Sequence, residues 1–211
     1  MSALYKTLGM LVIALVVASC ANKMTSEVTR FHKLAAPAGE TVRIMPKDSA
    51  KQGSLEFREY AQLIGDRLGA FGYRPAAPGA TPDLLVRVDY KVGEGQVVTR
   101  GYPYGYGYAG HFGHHGHHGH HGFHGFYGYP YYGGYGARSI TVYPRKLEMD
   151  IVRQDTSETI FEGVVDSVGR NKHLNQVMHY LVQAMFDGFP GQHGVTHRVT
   201  IKLPDEQASS Y

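Results

Sequence analysis

From Asp83 to Val92 apolar and polar residues alternate. Leu84, Val86, Val88, Tyr90 and Val92 fall on one side, and Leu85, Arg87, Asp89 and Lys91 on the other. A period of two is that of a pleated strand with one buried face. The pattern predicts a strand here that runs on through Val97 and Val98 to Arg100. A second strand is predicted over Ile140 to Arg153, where Leu147, Met149 and Ile151 alternate with Lys146, Glu148 and Asp150. Asp155, Thr156 and Ser157 have turn chemistry, and Thr159 to Val168 returns as the hairpin partner. Shorter runs predict strands at Val28–His32, at Thr41–Pro46, which stops at its proline, and at Val195–Leu203.

Two stretches switch to helical spacing. Phe57, Tyr60, Ala61, Ile64, Leu68 and Phe71 form one stripe, opened by Ser54 as an N-cap and closed by Gly72 in the left-handed position. His173 to Asp187 presents Leu174, Val177, Met178, Leu181, Ala184 and Met185 on one side, and Gly188 and Pro190 end it. The main elements run β-α-β-β-β-α-β. The economical solution is α+β: a single antiparallel or mixed sheet, two helices packed on one face, and a long low-complexity hairpin insert. This domain is expected over residues 28–203, with 204–211 a flexible tail.

The N-terminus follows neither period. Lys6 is the only charge before residue 20, and Leu8 to Val17 is an apolar run of ten residues. A bilayer span needs about 20, so residues 1–19 read as a secretory signal peptide. Val17, Ala18, Ser19 and Cys20 resemble a bacterial lipobox, and Cys20 is the only cysteine of the chain. It is the expected site of lipidation, with 20–27 a lipidated tether. A single cysteine also excludes an internal disulfide. Ala21 after the lipidated cysteine points to the outer membrane, facing the periplasm.

Composition changes the picture only between the strands. Residues 101–137 hold 13 Gly, 9 Tyr, 8 His, 3 Phe, 2 Pro and 2 Ala, with no charge and no aliphatic side chain larger than alanine. Such a segment builds no core and is expected to be a disordered insert. His114-His115-Gly116, His117-His118-Gly119 and His120-His121-Gly122 repeat, flanked by His111 and His124. Neutral imidazoles suit Zn, Cu or Ni, so these eight histidines are the candidate metal ligands. The competing reading is a solvated spacer with incidental metal affinity, and no cofactor is required by it. The tyrosines are open to the same two readings, spacer or aromatic contact.

The rest of the chain offers little chemistry. G-x-S-x-G, H-E-x-x-H, the P-loop and the dinucleotide fingerprint are missing. His173 and His179 lie six apart, on different helix faces, and read as surface residues; Arg87, Asp89 and Lys91 read as a solvated face. Asp83 is expected to shape the start of its strand. A net charge of +3 is too balanced for nucleic-acid binding.

Several short stretches resemble a bacterial lipoprotein family, domain of unknown function 4136. They are Thr41–Pro46, Leu68–Tyr73, Pro82–Val86, Leu147–Ile151, Phe161–Gly163 and Phe189–Pro190. Ile44 and Phe161 stand where the family usually carries Trp. The resemblance covers roughly residues 25 to 190 and implies an envelope lipoprotein; it supplies no catalytic residue. The expected function is therefore non-enzymatic: a lipid-anchored accessory or structural protein that binds another envelope component. The alternative is metal capture through the histidine-rich loop. The expected partners are the membrane, through the N-terminal lipid, and an envelope protein.

Overall fold

The computed structural model describes residues 23–102 and 136–204. The strands are β1 (Lys23–His32), β2 (Thr41–Pro46), β3 (Arg74–Pro75), β4 (Leu84–Val92), β5 (Gln96–Tyr102), β6 (Gly136–Arg153), β7 (Thr159–Gly169) and β8 (Val195–Lys202). The helices are α1 (Leu55–Ala70) and α2 (Leu174–Phe186). The sheet runs in the order β3-β2-β4-β6-β7-β1-β8, with β5 paired to β6. β2 is parallel to β3 and β4, while β4–β6, β6–β7, β7–β1 and β1–β8 are antiparallel. The fold is thus α+β on a mixed sheet.

Both helices cover one face. On β4 the residues Leu84, Val86, Val88 and Tyr90 are buried, as are Leu147, Met149 and Ile151 on β6. They meet Phe57, Tyr60, Ile64 and Leu68 of α1 and Val177, Met178, Leu181 and Met185 of α2. The helix signals act as their chemistry requires. Ser54 Oγ accepts from Phe57 N at 3.1 Å, and Gly72 closes α1 with φ +100°. Phe161 is buried in this core, and Ile44 packs half-buried against it.

The opposite face is solvated and ion-paired. Lys47 lies 2.9 Å from Asp150 and 3.4 Å from Glu148, Arg87 lies 3.4 Å from Asp150, and Lys51 pairs with Asp89. These bridges offset the like-charge juxtaposition of Asp89 and Glu148, which are opposite one another on β4 and β6.

Two boundaries differ from the sequence pattern. β1 begins at Lys23, so residues 23–27, expected in the tether, are strand. β1 pairs β7 on one side and β8 on the other. Its inward positions are Met24, Ser26, Val28 and Arg30, and the polar pair among them hides the alternation. The continuous strand expected from Asp83 to Arg100 is broken at Gly93–Gly95. There a Cβ on Gly93 would sit 2.7 Å from Pro144 Cγ, and one on Gly95 2.9 Å from Thr141 Cγ2. That close approach admits only glycine.

The chain divides into two compact units: residues to Gln96 with those from Thr141, and Val97–Ile140. In the second, the described parts of β5 and β6 pair, and Thr99 Oγ1 lies 3.0 Å from Ser139 Oγ.

Asp83 ties the starts of two parallel strands. Its Oδ2 accepts from Thr41 Oγ1 at 2.6 Å and Thr41 N at 2.7 Å, and its own N donates to Thr41 Oγ1 at 3.0 Å. The Thr41 hydroxyl, then the Thr41 amide, hold this carboxyl below its usual range, and Arg74 adds to the effect. A depressed folded pKa means the unfolded chain binds the proton more readily. Asp83 therefore stabilises the fold above the unfolded value of about 3.9, and this contribution is lost as pH falls through the folded value. Urea unfolding of the protein and of Asp83→Asn should show a stability gap near neutrality that closes below about pH 4. A gap independent of pH would assign the effect to shape alone.

Candidate functional site: a groove between α1 and the sheet edge

β3 pairs with β2 only at Thr41 and Val42. Beyond Val42, the outer edge of β2 from Arg43 to Pro46 has no strand partner among the described residues. Helix α1 passes over this edge, and between them lies a cavity of about 620 Å³. Val42 and Ile44 form one wall, Ala61, Gly65 and Gly69 of α1 the other, and Tyr73, Pro75 and Ala76 one end. Gln62, Asp66 and Arg43 supply the polar groups. Arg43 donates to Ala80 O, which holds its guanidinium against the loop before β4. Burial raises the Tyr73 phenol, and the Glu40 charge adds to this, so the ring stays neutral at physiological pH.

The groove exists because α1 carries small residues at positions i, i+4 and i+8, which share a helix face. Packing does not demand glycine there. A Cβ on Gly65 would make an ordinary 3.5 Å contact with Ile44 Cδ1, and one on Gly69 would meet nothing within 4 Å. Interior glycine costs a helix roughly 0.5–1 kcal/mol relative to alanine. α1 thus gives up stability where no neighbour requires it, a local conflict of the kind that marks functional surfaces. The sequence does contain this signal, as the Ala61/Gly65/Gly69 spacing. The periodic stripe that draws attention is the apolar one beside it.

A second cluster is smaller. His32 N donates to His193 Nδ1 at 3.1 Å, His32 Nε2 lies 3.1 Å from Gly191 O, and the two rings are 6.0 Å apart. They border a space of about 130 Å³ with Phe31 and Phe161. Among the described residues, no group of three or more His, Cys, Asp or Glu side chains is placed to hold a metal.

The residues singled out by sequence fall as follows. Cys20 and the histidines at 111, 114, 115, 117, 118, 120, 121 and 124 lie outside the described residues. His173 and His179 are exposed on and beside α2, and Arg87 and Asp89 belong to the ion-paired face. No helix among the described residues is long and apolar enough to cross a membrane.

A mixed sheet with two helices on one face, open at one edge beside a groove, defines a small α+β domain. The chain belongs to the family described as Domain of unknown function (DUF4136), which matches residues 27–191. The match ends before β8, which nevertheless pairs along β1 from Lys23 to Arg30. No curated protein matches the chain. A crystal structure of a PDZ domain protein from Parabacteroides distasonis ATCC 8503 is similar at 11% identity and a TM-score of 0.46, aligning 90% of this chain with 41% of that one.

Proposed function

We propose that the protein is a lipid-anchored, non-enzymatic accessory protein of the cell envelope. Its groove holds an extended apolar segment of another envelope component. The observation that carries this reading is the pair of unrequired glycines, Gly65 and Gly69, opening onto the free edge of β2. From Ala61 to Gly69 the helix rises about 12 Å, the length of three to four residues of extended chain. A segment laid there adds main-chain hydrogen bonds at the edge and buries alternate side chains against α1.

Alanine and leucine at the same glycines separate folding from binding. Gly65→Ala should stabilise the domain by about 0.5–1 kcal/mol in urea unfolding, and Gly69→Ala, in the last turn of α1, by less. Gly69→Leu should keep the fold while filling the groove. With a photo-crosslinking residue at Gln62 in living cells, the adduct should carry a peptide of one defined envelope protein, and Gly69→Leu should abolish it. An adduct unchanged by Gly69→Leu would sink the groove as the docking site.

The eight imidazoles in residues 101–137 favour a second reading, capture of Zn, Cu or Ni. Metal needs the neutral ring, with an unperturbed pKa near 6.5, so uptake should hold at neutral pH and fade towards about pH 5. Titration calorimetry with His114, His115, His117, His118, His120 and His121 changed to Asn should show this uptake lost. Equal uptake by the substituted protein leaves the spacer reading.

A further inference from the structure

We infer that the end of the sheet where β1 begins is a docking surface for a bilayer with anionic phospholipid headgroups. The inference rests on the proposed lipidation of Cys20 for its biological setting, but its physical basis lies in the strands themselves.

The first observation is distance along the chain. β1 starts at Lys23, so only Ala21 and Asn22 separate it from Cys20. Three Cα–Cα steps of 3.8 Å reach at most about 11 Å. An acyl group on Cys20 therefore leaves this end of the sheet no farther than headgroup range from the lipid. A tether through Glu27 would have allowed a reach of about 30 Å; the early start of β1 removes the slack.

The second observation is charge. Lys23 and Lys202 are directly opposite in the β1–β8 register. Lys91 and Lys146 are directly opposite at the same end of β4 and β6. Like charges facing one another across a ladder are destabilising. Lys146 is compensated by Asp166 at 3.4 Å. Arg170 follows the end of β7 and Lys172 comes two residues later, both exposed. Val168, 61% exposed, gives the same end an apolar contact. The far end of the sheet is mixed in charge, with Asp83, Asp155 and Glu158 beside Lys33, Arg74 and Arg153, and the near end carries Glu94 after β4 among its lysines.

An anionic surface relieves the Lys23–Lys202 pair, and a protein held within about a Debye length of it, roughly 8 Å at physiological salt, feels it little screened. Basic residues at such a surface strengthen adhesion by about fivefold each. The domain would thus lie with this end against the lipid rather than swing freely on its anchor.

The test removes the lipid so that it does not depend on acylation. The chain from residue 20 with Cys20→Ser holds every described element. It is mixed with vesicles of phosphatidylethanolamine containing about one quarter phosphatidylglycerol, or of phosphatidylcholine alone, at about pH 8, where imidazoles are neutral. Co-sedimentation is expected with the anionic vesicles and not the zwitterionic ones, with release at about 0.5 M salt. Lys23→Gln with Lys202→Gln should weaken it about tenfold or more, while Lys33→Gln, at the far end, should not. Thermal unfolding of each variant confirms the fold. Equal binding to both vesicle types, or equal binding by the Lys23/Lys202 and Lys33 variants, overturns the inference. A failure of lipidation itself would appear only in the mass of the mature protein.

Discussion

Replacing Arg30 with methionine should cost the domain about 3 kcal/mol, a large part of the 5–15 kcal/mol that typically holds a domain together. Arg30 is on the inward side of β1 and only 3% exposed. Its Nε donates to Met185 O at 3.0 Å, and Nη2 donates to Ala184 O at 3.0 Å and Asp187 O at 2.9 Å. These are carbonyls at the C-terminal end of α2, where the helix runs out of its own backbone donors; the Asp187 amide also donates to Ala184 O at 3.3 Å. The guanidinium also places a positive charge at the negative end of the helix. Burial lowers the Arg30 pKa and the Asp187 charge opposes this; an arginine stays protonated throughout.

Methionine keeps the volume and removes every donor, so Met185 O and Asp187 O lose the Arg30 bond at roughly 1–3 kcal/mol each, while Ala184 O keeps its bond from the Asp187 amide. Arg30→Lys keeps the charge but loses the planar fork, and should fall between the two. Urea unfolding measures both. A loss below about 1 kcal/mol for Arg30→Met would show that water reaches the end of α2 in its place. Gly191 belongs to the same arrangement. A Cβ there would lie 2.7 Å from Arg30 Nη1, and its φ is +81°.

Arg30 also shows where reading the sequence stops. The β4 pattern is legible because every inward residue is apolar and most outward ones are charged. Ser54 and Gly72 are legible because capping and left-handed turns depend on local chemistry alone. β1 is different. It lies inside the sheet, between β7 and β8, yet its inward set includes Ser26 and Arg30. Arg30 is satisfied by carbonyls more than 150 residues away. No local pattern encodes such a partnership, so the strand reads as a short element preceded by a tether.

The groove fails to read for a related reason. Its residues are defined by what they lack. Gly65 and Gly69 leave space only once β2 lies beneath α1 and β3 has ended the sheet. Asp83 stands between these cases. Its position after Pro82 suggests a strand start, which the Thr41 contacts bear out, but the parallel neighbour it fastens is set by topology.

Changing Cys20 to serine should abolish acylation of the protein and, with it, the lipid anchor. The segment Val17–Cys20 has the small residues that a lipoprotein peptidase accepts, and Cys20 is the only thiol in the chain. Each buried CH₂ of an acyl chain contributes about 0.8 kcal/mol to membrane affinity, and stable anchoring needs more than one attachment signal. A multiply acylated Cys20 meets that requirement. The cationic end around Lys23 and Lys202 would supply only reversible, salt-sensitive adhesion in its absence. Cys20→Ser should therefore leave an unprocessed precursor with no acyl mass. High salt should strip from membranes any fraction of the variant held there by charge, while wild type stays bound. Mass spectrometry of the mature wild-type protein should find its N-terminus at residue 20 carrying acyl chains. An unmodified N-terminus at any other residue would remove the anchor and, with it, the envelope assignment built on it, while leaving the vesicle experiment on the Lys23/Lys202 end to stand or fall by itself.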